Sequence, residues 1–185
     1  MRYNTICYSI LKATLIAGGV ALILTSPIAT RRLLKEIPKE IKKYKKKQLW
    51  RALYYLRSKN RIRIVKESDN GIEIEITKVG KKHLTKLDFD NLSLTKPDSW
   101  DNKWRMVIFD IPEKRKVSRE ALRQKLKDLN MVKLQNSIWI TPYPCEDEIT
   151  FIKTVFNLSD RWLDVIISDN IGTQEYQLRK LFGLL

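Results

Sequence analysis

Hydrophobic and polar positions follow several distinct patterns along the chain, and each pattern predicts a type of secondary structure. Residues 6–28 form an apolar stretch in which Lys12 is the single charge. We interpret its first part as a buried helix that ends near Gly18 and Gly19, with the remainder packing under the following helix. Residues 28–37 and 45–59 also have helical spacing, and Pro38 ends or kinks the first of these two helices.

The helix predicted at residues 45–59 has two contrasting faces. Leu49, Leu53 and Leu56 recur along one face, and the opposite face carries Lys47, Arg51, Tyr54, Tyr55 and Ser58. Two alternating runs follow at residues 61–67 and 71–77, and the Asn-Gly between them predicts a hairpin. Three helices followed by a hairpin indicate a winged helix-turn-helix.

The second half of the chain predicts a βαββαβ order of elements. The strands are expected at residues 104–111, 132–137, 138–142 and 162–168, the helices at 117–129 and 147–156, and a short amphipathic helix at the end. This order is the ferredoxin-like split arrangement. The fold class is therefore α+β, with a winged-helix domain at residues 1–86, a linker at 87–103 and a ferredoxin-like domain with a C-terminal helix at 104–185.

Charge is distributed unevenly between the two halves. Of 36 Lys and Arg and 21 Asp and Glu, residues 1–96 contain 22 and 8, whereas residues 97–185 contain 14 and 13. This asymmetry predicts that the first half meets a polyanion. We favour double-stranded DNA over RNA or a membrane surface, because the basic run coincides with the helix that would enter the major groove. The DNA-binding candidates are Lys45, Lys46, Lys47, Arg51, Tyr54, Tyr55, Arg57, Arg61 and Arg63.

The titratable residues exclude several other classes of protein. His83 is the single histidine, so it would have to serve any Ser-His-Asp or Cys-His centre, and it lies in a basic surface segment. We expect Cys7 and Cys145 to be reduced thiols in a cytoplasmic protein.

A membrane anchor at residues 6–28 is an alternative to the buried helix, and a signal peptide is another. The uninterrupted apolar part, residues 13–24, is however shorter than the roughly 20 residues that span a bilayer.

Residues 103–149 carry motifs that identify a family. They are "FDIPE" at the end of the first strand, R-x-x-L-R-x-x-L at residues 119–126 and "LQNSIWI" at 134–140. With these motifs the stretch from Lys103 to Ser168 resembles the central domain of the phenylacetate-catabolism repressor family, PaaX, which is itself similar to the CRISPR-associated Cas-two nucleases. The preceding residues resemble the winged-helix domain of those repressors. The resemblance implies a DNA-binding transcriptional regulator that forms a homodimer through the Cas-two-like domain.

Asp110, at the end of the first strand of this domain, has two interpretations. In the Cas-two nucleases the Asp at this place is the proposed metal ligand, so the resemblance also implies an alternative: a metal-dependent endonuclease or spacer-acquisition subunit with Asp110 binding Mg²⁺. The structural interpretation is that Asp110 accepts hydrogen bonds from the helix start near Val117 or pairs with Arg115 or Arg119. We favour this interpretation, and then no cofactor and no enzymatic activity are expected.

Overall fold

The computed structural model describes residues 3–24, 44–68 and 71–185. The chain divides into two compact units, Met1–Asp90 and Asn91–Leu185. Each unit combines helices with one antiparallel sheet, so the fold class is α+β as predicted.

The first unit contains three helices and a three-stranded sheet within its described residues. The elements are α1 (Tyr3–Ile16), β1 (Val20–Leu24), α2 (Lys46–Ser58), β2 (Ile62–Ser68), β3 (Gly71–Ile76) and α3 (Lys78–Asp90). The strand order is β1-β3-β2, so β3 is central and pairs with both neighbours. The strands β2 and β3 form a hairpin, which confirms the prediction made from the alternating pattern.

The core of this unit follows directly from the hydrophobic periodicities. Every second residue of β3, namely Ile72, Ile74 and Ile76, is buried, as expected for a strand with one face on a core. The helices α1 and α2 bury Ile10 and Leu56 against the same cluster. The side of α2 opposite Leu56 is therefore left to solvent.

Two expectations for the first unit need correction. The segment after Gly18 and Gly19 is the strand β1, where we expected only packing under the next helix. Both glycines have positive φ, which suits the reversal from α1 into β1. In addition, the helix α3 was not expected, and because it continues to Asp90, residues 87–90 of the expected linker are helical. The helix predicted at residues 28–37 lies outside the described residues.

The second unit has the element order predicted from the sequence. Its elements are β4 (Trp104–Phe109), α4 (Lys116–Asp128), β5 (Val132–Gln135), β6 (Ile138–Thr141), α5 (Glu146–Phe156), β7 (Leu163–Ser168) and α6 (Glu175–Phe182). The strand order is β5-β6-β4-β7, and all three pairings are antiparallel. The two strands of each βαβ unit are thus separated by a third strand, which is the ferredoxin-like arrangement.

The two faces of this sheet have different coverings. Val107 and Phe109 point to one face, where Arg123 of α4 lies 5.8 Å over the Phe109 ring. Trp104 and Met106 point to the other face. There Trp104 forms a cluster with Ile140 and Leu178, and Met106 packs against it. The helix α6, which carries Leu178, therefore covers part of the second face.

The membrane-anchor alternative was tested on the described helices. Not one of them is long and apolar enough to cross a bilayer. The helix α1 has 14 residues, which corresponds to about 21 Å at 1.5 Å per residue. The hydrocarbon core of a bilayer is about 30 Å thick.

Candidate nucleic-acid interface

The start of α2 is fixed by a local hydrogen bond. Lys45 precedes the helix in an extended conformation, and its backbone N–H donates to Oε1 of Gln48 at 3.0 Å. This satisfies a backbone donor at the helix start, as the glutamine of a capping box does. The first turn of α2 thus begins beside the cations Lys45 and Lys47, where the positive end of the helix dipole also favours anions.

The outer face of α2 carries four of the nine predicted DNA-binding side chains. Lys47, Arg51, Tyr54 and Arg57 are all exposed, and Tyr54 retains 76% of its accessible surface. Lys45 is also exposed, whereas the side chain of Lys46 lies outside the described part of the chain. The structure therefore brings three cations and one aromatic ring together on one helical stripe.

Sequence reasoning missed Trp50, which belongs to the same stripe. It is 37% exposed and lines a shallow depression together with Arg51, Tyr54, Tyr55 and Ser58. Trp50 lies three residues after Lys47 and four before Tyr54, so helical spacing was the signal that could have placed it on this face. We call the set Lys47, Trp50, Arg51, Tyr54 and Arg57 the α2 outer face.

Three predicted DNA-binding residues do not lie on the α2 outer face. Tyr55 is half-buried and packs against the core of the first unit. The guanidinium of Arg61 lies 5.6 Å from the centroid of the Tyr55 ring. Arg63 belongs to β2, and its Nε donates to Glu75 of β3 at 2.6 Å. The side chains of Arg61 and Arg63 therefore have neighbours within the unit.

Asp110 follows the last residue of β4 and has an exposed carboxylate. Its backbone N–H donates to the carbonyl of Trp162 at 3.0 Å, which extends the pairing with the neighbouring segment. Among the described residues, no hydrogen bond or ion pair involves the Asp110 side chain. The described residues also contain no group of three His, Cys, Asp or Glu side chains placed to hold a metal ion.

The arginines expected to pair with Asp110 have other partners, so that expectation is wrong. Arg115 donates to the carbonyl of Asn157 at 2.7 Å and lies 4.9 Å over the ring of Trp162. Arg119 donates to the carboxylate of Glu113 at 2.6 Å, and this hydrogen bond lowers the pKa of Glu113. The side chain of Asp110 is thus not the group that orients these arginines.

The arginines of α4 form hydrogen bonds within the second unit. Arg123 donates to Glu120 at 2.6 Å and to the carbonyl of Asn136 at 3.2 Å. With Arg119 bound to Glu113, the repeated arginines of the R-x-x-L motif form intramolecular hydrogen bonds. They hold α4 to the neighbouring segments, so the basic character of α4 has a structural explanation.

The connectivity and strand order define the second unit as a ferredoxin-like domain. Residues 97–178 match the family model described as the PaaX protein central Cas2-like domain. The second unit therefore contains a Cas2-like domain similar to the central domain of PaaX proteins, and the resemblance inferred from the sequence motifs is confirmed for these residues. The match begins within the expected linker and extends into α6 at Leu178. A comparison with curated proteins finds no significant match.

Proposed function

We propose that this chain is a DNA-binding transcriptional regulator of the PaaX type. The α2 outer face carries the proposal, because its cations are exposed on a helix that is anchored to the core by Leu53 and Leu56. Cationic side chains neutralise phosphates and release counterions, and Arg also reaches base edges in the major groove. Trp50 and Tyr54 add aromatic surface beside these cations.

The connectivity of the first unit supports a winged-helix mode of binding. The helix α2 is followed directly by the β2-β3 hairpin, and β1 extends the hairpin to a three-stranded sheet. In a helix-turn-helix module the second helix of the motif enters the major groove. We assign this role to α2, and residues 28–37 are the expected first helix of the motif.

The second unit is the proposed dimerisation domain. Part of its sheet lies beyond the area covered by α6. There Ile108 of β4 and Ile138 of β6 are paired and half-buried, and Ile166 of β7 is 46% exposed. A two-fold axis through such a face would place identical apolar side chains against one another. The nearly balanced charge of this half of the chain also permits self-association, since little like-charge repulsion opposes it.

The proposed location is the cytoplasm, where DNA is accessible and thiols stay reduced. Cys7 and Cys145 are both free and buried. Burial raises the pKa of Cys7 to about 11 and that of Cys145 to about 12. Since the thiolate is the reactive form, both cysteines are suited to an inert structural role.

Duplex binding by the intact chain tests this function. The double variant Lys47→Ala with Arg51→Ala should weaken binding and reduce the slope of log K against log[salt] by about 0.9 for each phosphate that is no longer neutralised. The matched control is Lys127→Ala with Arg161→Ala, which removes the same charges from exposed positions of the second unit. Equally weakened binding in both double variants would indicate a nonspecific charge effect and contradict the assignment of α2.

A further inference from the structure

The first unit contains a partly open cavity that shares Tyr55 with the depression beside the α2 outer face. Its volume is about 200 Å³, and it is lined by Cys7, Tyr55, Arg61, His83 and Leu87. These residues come from α1, α2, α3 and the residue before β2. The wall is therefore mixed, with one guanidinium and one imidazole beside an aromatic ring, a leucine and a thiol.

Arg61 is held in this wall by its backbone. Its N–H donates to the carbonyl of Leu56 at 2.8 Å, and its own carbonyl accepts from the N–H of Thr77 at 3.0 Å. The guanidinium is half-buried over the Tyr55 ring, and it makes no hydrogen bond or ion pair with the residues that the structure describes. A guanidinium carries five N–H donors in a planar fork, a geometry that matches a carboxylate.

The electrostatic surroundings of the cavity are positive. Burial lowers the pKa of His83, and the charges of Arg61 and Lys86 lower it further. The charge of Arg61 also opposes the rise in the pKa of Cys7 that burial causes. Among the described residues no carboxylate forms an ion pair with Arg61 or His83. The cavity is thus a cationic site without a protein counter-ion in this part of the chain.

We infer that this cavity binds a small organic anion. The carboxylate of the ligand would accept hydrogen bonds from Arg61, with His83 beside it, and its apolar body would contact Tyr55, Leu87 and Cys7. A paired guanidinium and carboxylate form strong, directional hydrogen bonds. A cavity of about 150 Å³ is sufficient for benzene, so the volume here suits a ligand of that size with one charged group.

Benzoate, titrated into the intact protein without DNA and followed by calorimetry, tests the inference independently of the proposed function. We expect saturable binding at one site with a Kd of about 1 mM or tighter. Arg61→Gln should weaken it about tenfold or more, because the hydrogen bonds to a charged group are removed. Lys59→Gln removes the same charge from an exposed position nearby and should leave the affinity unchanged.

Two further ligands and one further variant complete the test. Benzyl alcohol, which has the ring without the charge, should bind much more weakly than benzoate. Leu87→Phe reduces the cavity volume without altering Arg61 and should abolish benzoate binding. This variant keeps the inference testable if Arg61→Gln does not fold. The inference is overturned if benzoate does not bind or if both variants bind it as the wild type does. Equal affinity for inorganic phosphate would overturn the role of the apolar wall.

Discussion

The guanidinium of Arg105 donates two hydrogen bonds to the carboxylate of Asp101, with Nη–O distances of 2.7 and 2.6 Å. The Arg105 side chain is only 6% exposed, whereas that of Asp101 is 45% exposed. Nη1 of Arg105 also donates to the carbonyls of Lys103 and Pro142. This set of bonds joins the segment before β4 to the end of β6.

Removal of the Asp101 charge should destabilise the second unit. Asp101→Asn weakens the hydrogen bonds to a buried guanidinium. Because Asp101 is partly exposed, solvent screening limits the expected decrease in the free energy of unfolding to about 1 to 2 kcal/mol. Urea unfolding followed by tryptophan fluorescence measures this decrease, because Trp100 and Trp104 directly precede Asp101 and Arg105 in the sequence. Asp98→Asn, at an exposed position of the same segment, should change stability by less than about 0.5 kcal/mol. Equal effects would contradict this prediction.

The same pair should make stability depend on pH. The hydrogen bond between Arg105 and Asp101 lowers the pKa of Asp101 from 3.8 to about 2. The unfolded chain then binds the proton more readily, so the contribution of Asp101 is complete above about pH 4 and disappears as the pH falls towards 2. The stability difference between the wild type and Asp101→Asn should therefore narrow in this window. A difference that stays constant down to about pH 2 would show that the pair does not control it.

Periodicity predicted most of the second unit because its strands are short and alternate with amphipathic helices. The same reasoning could not identify β1, since a run such as Val20–Leu24 is apolar throughout and suits a buried helix as well as a strand. The helix α3 was not predicted at all. Its last turns carry Leu87 and Phe89 among polar residues, and tertiary packing determines whether such a segment remains helical.

The candidate site shows the same division between local and tertiary information. Helical spacing placed Lys47, Arg51 and Tyr54 correctly on an exposed face. Tyr55, which it also placed there, is half-buried: it lines the depression beside Arg51 and Tyr54 and also packs against the core of the first unit. The partner of Arg119 was not predictable, because Glu113 comes close only through the turn between β4 and α4.

Gly80 in α3 should not accept a side chain. A Cβ at this position would lie 2.0 Å from the carbonyl oxygen of Arg61. That oxygen is held by the N–H of Thr77, so it cannot move without breaking a hydrogen bond. We expect Gly80→Ala to destabilise the protein by about 2 to 3 kcal/mol in thermal or urea unfolding. Val79→Ala, at an exposed neighbouring position, is the control, and a similar small effect for both variants would contradict the close approach.

The proposed dimer should depend on the open part of the second sheet. Ile166→Glu would place a charge in the apolar interface, and desolvating an unpaired charge is costly. We expect the wild type to be a dimer at micromolar concentration by light scattering, and Ile166→Glu to be a monomer. Val117→Glu, at a position that is 84% exposed on α4, should remain dimeric. A monomeric wild type, with and without DNA, would exclude dimerisation through this domain under these conditions.

Asp110 separates the regulator from the nuclease alternative. Its carboxylate is exposed and forms no hydrogen bond or ion pair with the described residues, so Asp110→Ala should leave duplex binding unchanged and alter stability by less than about 0.5 kcal/mol. The same preparations should be incubated with DNA or RNA and Mg²⁺ or Mn²⁺. Asp110→Ala must be purified identically, because contaminating nuclease would otherwise imitate activity. Metal-dependent cleavage by the wild type that disappears in Asp110→Ala, with the fold retained, would overturn the proposed function and assign Asp110 as a metal ligand.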